Sequence, residues 1–132
     1  MPALARWLLL NLVILPTRPR RSAEAYEKVW TPEGSPLLVY GRALRDALRK
    51  ELGDDWSVEL AMRYGVPAID AALDRLAAAD VERIVVVPLF PQYASASTGS
   101  ALDAVYASAA ERNNVPPLSV VPSFYAEPGF IR

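Results

Sequence analysis

The chain has 132 residues, enough for one domain with a real core, and 52% of them are apolar, which excludes a disordered chain. A net charge of −1 makes nucleic acid a poor partner. With no cysteine and no histidine, disulfides, thiolate metal sites and the commonest general base are all excluded, so metal chemistry by this chain alone would need oxygen ligands.

Residues 3–15 read as a short apolar helix, followed by a basic, proline-broken turn at 16–20. The run from Trp7 to Leu15 is too short to span a bilayer. Pro16-Thr-Arg-Pro-Arg-Arg21 follows it where a signal peptide would carry a small-residue cleavage site. Arg18, Arg20 and Arg21 suit an anionic membrane surface or an acidic substrate, and equally a solvated basic turn. Residues 21–29 have a weak helical reading. Thr31-Pro-Glu-Gly34 is a turn. Ser35 and Pro36 then open a helix as N-cap and first residue, and Gly53 ends it. Leu37, Gly41, Leu44 and Leu48 form its apolar stripe, predicted to face the core.

A strand is predicted near 57–63, then a loop at 63–66. Pro67 starts a helix with Ile69, Leu73 and Leu76 inward. A buried strand follows at 83–89, a helix near 98–112, and a third strand at 118–122. The chain stops at Phe130-Ile-Arg132 as if inside a helix. Strands alternating with helices predict an α/β fold with a parallel, doubly wound sheet.

Between the second strand and its helix lies Pro88-Leu-Phe-Pro-Gln-Tyr-Ala-Ser-Ala-Ser-Thr-Gly-Ser100. Open α/β sheets place ligands at such carboxyl ends. Ser95, Ser97, Thr98 and Ser100 can hydrogen-bond an anionic ligand at a helix N-terminus. The plainer reading, helix capping by Ser97 or Thr98, needs one hydroxyl only. Arg63 and Tyr64 belong on the same rim, where Arg63 can meet a carboxylate with two parallel N–H bonds. A surface arginine beside a tyrosine covering the sheet edge is the plainer alternative there.

Taken together, Arg18-Pro-Arg-Arg-Ser-Ala-Glu-Ala-Tyr26, Trp30-Thr-Pro-Glu-Gly-Ser-Pro-Leu37, Ala61-Met-Arg-Tyr-Gly65 and the 88–100 loop resemble the ferrochelatase family. Asp103-Ala-Val and Ser123-Phe-Tyr fit the same order. That family inserts ferrous iron into protoporphyrin IX. The resemblance implies the chelatase fold, two similar α/β domains with the porphyrin between them. The chain would be a partial N-terminal domain, with residues 1–20 as lip helix and basic turn and 21–132 as a body cut short at its C-terminus. Arg18, Tyr26, Ser35, Arg63, Tyr64, Tyr93, Ser97 and Thr98 would be porphyrin-binding, with Arg63, Tyr64, Tyr93 and Ser97 facing one concavity. The lip, residues 3–15, would touch the membrane peripherally. The implied location is cytoplasmic, and the partners are the substrates protoporphyrin IX and Fe²⁺.

Departures from the family pattern carry further expectations. Leu8-Leu-Leu-Asn-Leu12 aligns with the lip helix rather than with the family's first strand, so that strand is expected to be missing from a flavodoxin-like sheet. The slot lies between the 57–63 and 83–89 strands, and unpaired edges there would leave the isolated chain poorly folded or aggregating. The family's catalytic His and its acidic partner lie in a second domain, so no catalytic residue and no metal ligand is assigned in this chain, and no turnover is expected of it alone. A cysteine that holds an iron–sulfur cluster in some members is Ser95 here, so neither a cluster nor any other cofactor is expected. Rival readings are a non-catalytic porphyrin or haem binder, a chelatase for another metal or tetrapyrrole, and a fragment that is no stable module.

Overall fold

A computed structural model describes Trp7, Ala23, Glu24 and residues 26–132. The expected lip helix, the Leu8–Leu12 segment and Arg18 therefore lie outside the described residues, Trp7 apart. The chain divides into two units, Met1–Leu44 and Arg45–Arg132.

In the first unit, the Thr31–Gly34 turn closes as its composition predicts. Each backbone N–H donates to the other's carbonyl at 3.0 Å, and Thr31 Oγ1 adds a bond of 2.9 Å to Gly34 O. Gly34 has φ +116°, which disfavours a side chain there. Ser35 then caps helix α1, Pro36–Leu52, by accepting the Leu38 N–H on Oγ at 3.2 Å. Arg49 and Lys50 complement the dipole in the last turn. Gly53, at φ +76°, stops the helix with its N–H on Arg49 O.

The predicted inward stripe of α1 is not buried. Leu37 is 70% exposed, Leu44 42% and Leu48 39%, and no residue of the helix is buried. Helical spacing announces an apolar face, but burial needs a partner. None covers this face among the described residues.

The predicted strand at 57–63 is also corrected. Residues 57–61 have no ladder partner among the described residues, and only Met62 forms a single parallel bridge, to Ala68. A strand exists only when another strand takes its backbone groups. The segment is instead held by its side chains. Glu59 takes Arg49 Nη2 at 2.8 Å on one oxygen and Arg75 Nε at 2.6 Å on the other. Arg49 Nε also donates to Val58 O at 2.9 Å.

The Val66–Pro67 peptide is cis, and helix α2 follows at Ile69–Ala78. Leu73 is buried as predicted, together with Ala72. Strand β1, Ile84–Val86, pairs with strand β2, Leu118–Val120, in parallel, with Ile84 opposite Leu118 and Val86 opposite Val120. The pairing is the predicted one, and a helix joins the two strands. Both strands are shorter than predicted; Pro88 and Pro122 follow closely, and neither has an N–H to give a ladder. The architecture is thus mixed helix and strand around a small two-stranded parallel sheet.

A π-helical turn, Ser95–Gly99, leads into helix α3, Ser100–Ala110. A short helix α4, Pro128–Ile131, ends the chain, its Phe130 packed edge-on against Phe124 at 5.3 Å. The core of this unit is Ala72, Leu73 and Ile84, with Thr98 and Ser108 as its buried polar members. Among the described residues no helix is long and apolar enough to cross a membrane.

Candidate functional site

The site is built where the 62–65 loop meets the 88–100 loop. The second loop leaves β1 and is pinned at Pro91, whose carbonyl accepts the N–H groups of Phe124 and Tyr125, both at 3.0 Å. Its π turn is closed by the Gly99 N–H on Ala94 O at 3.1 Å. π turns recur at functional sites because the extra residue displaces the chain from regular helix packing.

Arg63 joins the two loops. Its Nε donates to Ser100 O at 2.8 Å and to Ser100 Oγ at 3.0 Å. The guanidinium carbon sits 4.6 Å from the centre of the Tyr64 ring, within cation–π range. Arg63 is thus an exposed arginine held in place by Ser100 and Tyr64. Sequence spacing gave no sign of its bond to Ser100, because the two are far apart in the chain.

Tyr64 is 76% exposed and Tyr93 64%, so both rings offer apolar faces to solvent. A Cβ at residue 99 would lie 3.1 Å from Tyr93 Oη, so the glycine permits that close approach. Ser97 and Thr98 bond within the loop rather than cap the helix that follows. Ser97 Oγ donates to Ala94 O at 3.4 Å, and buried Thr98 Oγ1 donates to Gln92 O at 3.5 Å. Neither caps α3, whose N-cap Gly99 has no side chain to do so. Thr98 is thus a clasp inside the loop.

In the first unit, Tyr26 is exposed, and Ser35 Oγ is engaged as the cap of α1. Arg18 lies outside the described residues.

A cavity of about 370 Å³ opens beside Arg63, lined among others by Met62, Ala68, Asp70, Asp103, Ser108 and Glu111. Its three carboxylates do not suit an anionic ligand. Among the described residues no group of His, Cys, Asp and Glu is arranged to hold a metal ion.

Behind this cavity is a network that sequence reasoning missed. Arg112 Nη2 pairs with Asp74 at 2.7 Å and donates to Asp70 O at 2.9 Å. Its Nη1 donates to Ser108 Oγ at 2.7 Å, and that hydroxyl donates to Asp70. The hydrogen bond that Arg112 donates to Asp74 raises the Arg112 pKa further above its ordinary value, so the guanidinium stays charged throughout. The network clamps α3 to α2 and so holds the rim's helix. Asp70, Asp74, Ser108 and Arg112 at helical spacing on two neighbouring helices were the only signal available.

A sequence model of the ferrochelatase family matches residues 1–132. The chain belongs to the ferrochelatase family. It is 48% identical over 130 residues to a ferrochelatase of Coxiella burnetii (strain CbuG_Q212), covering 98% of this chain and 36% of that protein. A ferrochelatase of Chromobacterium violaceum is 40% identical, with 98% of this chain and 37% of the relative covered. One from Legionella pneumophila (strain Paris) is 39% identical, covering 100% of this chain and 39% of the relative. The chain thus spans little more than a third of the length of these ferrochelatases. No solved structure matches.

Proposed function

We propose that the chain forms a porphyrin-facing part of a ferrochelatase, with protoporphyrin IX and Fe²⁺ as the substrates of the whole enzyme. The observation that carries this reading is the family match over all 132 residues, in a chain whose two most telling runs are joined by the Arg63–Ser100 bond. The exposed faces of Tyr64 and Tyr93 suit an apolar macrocycle, and the guanidinium of Arg63 suits a propionate. Arg18, Tyr26, Ser35, Ser97 and Thr98 belong to the same porphyrin-binding set, Ser97 and Thr98 also bonding backbone within the 88–100 loop and Ser35 capping α1.

A chelatase must bend the macrocycle so that a pyrrole lone pair can meet the metal, and must remove two N–H protons. Bending needs rigid walls, and proton removal needs a base. This chain has no histidine to act as that base. That absence favours a second description of the chain by itself, a porphyrin binder that does no chemistry. Two finer elements belong to the reading: a doubly wound, flavodoxin-like sheet whose first strand is missing from this chain, and peripheral membrane contact through residues 3–15.

The test is a fluorescence titration with protoporphyrin IX, followed by metalloporphyrin formation after adding Fe²⁺. Saturable binding weakened by Arg63→Ala and Tyr93→Ala is expected, with metallation at the no-protein rate. Absence of saturable binding defeats the porphyrin reading. Metallation above the no-protein rate defeats the inactivity of the isolated chain.

A further inference from the structure

We propose that Ser100 is a positioning residue for Arg63, turning its guanidinium so that the two Nη groups meet a ligand carboxylate together. The inference rests on the porphyrin reading above and names the atoms that would select for a free propionate.

Three observations support it. Arg63 Nε is held twice, by Ser100 O at 2.8 Å and Ser100 Oγ at 3.0 Å, which fixes the plane of the guanidinium. The Tyr64 ring, 4.6 Å from the guanidinium carbon, restrains it from a second side. Finally, neither Nη of Arg63 has a partner among the described residues, whereas Arg45, Arg49, Arg75 and Arg112 all pair with carboxylates.

With Nε occupied, the remaining edge of the fork is the Nη1–Nη2 pair. Its parallel N–H groups match the two oxygens of a carboxylate. A flexible arginine loses rotamer entropy when it binds; one already held by Ser100 and Tyr64 loses less. Asp70, Asp103 and Glu111, which line the same cavity as Arg63, form no ion pair with it and leave that edge open. The ligand class is a carboxylate borne on an apolar ring.

The experiment compares protoporphyrin IX with its dimethyl ester in the same detergent buffer, by fluorescence titration of the wild-type chain, Ser100→Ala and Ser100→Thr. Ser100→Ala should weaken binding of the free acid roughly three- to tenfold, the scale of one charge-assisted hydrogen bond partly replaced by the remaining carbonyl. Binding of the ester should stay unchanged, and Ser100→Thr should restore the acid. Equal weakening of acid and ester means a merely structural role and overturns the proposal, as does no weakening of either. In both cases the porphyrin reading stands. A wild-type chain that binds neither compound removes that reading and this inference with it. A second measurement needs no variant: on adding protoporphyrin IX, the Nη proton resonances of Arg63 should shift while its Nε–H stays protected from exchange. A shift confined to Nε–H overturns the assignment.

Discussion

Helix α1 and the α2–α3 pair are stabilised in opposite ways. α1 has four local devices: a serine cap, proline at its first position, basic residues in its last turn and a glycine stop. Yet it buries no residue. α2 and α3 have no side-chain caps, but they hold Ala72, Leu73 and Ser108 in the core and receive the Arg63 and Arg112 bonds. Local rules suffice to form a helix; they do not determine what it packs against. The candidate rim is built on the element whose local signals are weakest.

The contrast is broken most severely at Leu73. Leu73→Ala should cost about 2–4 kcal/mol in a urea melt, because it opens a cavity in the small core. Leu48→Ala on the exposed stripe of α1 should stay within about 0.5 kcal/mol. Equal losses would show that α1 is covered in solution. Next comes Arg112→Ala, expected to cost about 1–2 kcal/mol, since its partners Asp70 and Asp74 are largely exposed and regain water. Arg112→Lys should recover only part of this, because a lysine cannot span Asp74 and Ser108 together.

A smaller, local effect is expected at the start of α1. Ser35→Ala should cost about 1 kcal/mol, read as lost helicity by circular dichroism. Leaving the porphyrin affinity of the chain unchanged would mark Ser35 as a cap rather than a ligand contact. Gly99→Ala should have the smallest effect, within about 0.5 kcal/mol, since the better helix propensity of alanine offsets the need for Tyr93 Oη to move. Its signature would be a changed Tyr93 ring resonance with an unchanged melt. A loss above about 2 kcal/mol would mean that Tyr93 is fixed in place rather than able to yield.

Several features were legible in the sequence because short-range chemistry decides them. The Thr31–Gly34 turn, the Ser35–Pro36 start, the Gly53 stop and the parallel pairing of 84–86 with 118–120 depend on backbone conformation, a cap and an intervening helix. The family, too, was legible, from runs of residues in order. Tertiary structure alone decided the rest. Whether residues 57–61 pair, whether the α1 stripe is covered, and which partner takes Arg63 or Arg112 all depend on groups brought from distant parts of the chain. Periodicity specifies a face and composition a donor. The partner that satisfies either is set only when the chain folds, because burial and hydrogen bonding are properties of two surfaces, not of one segment.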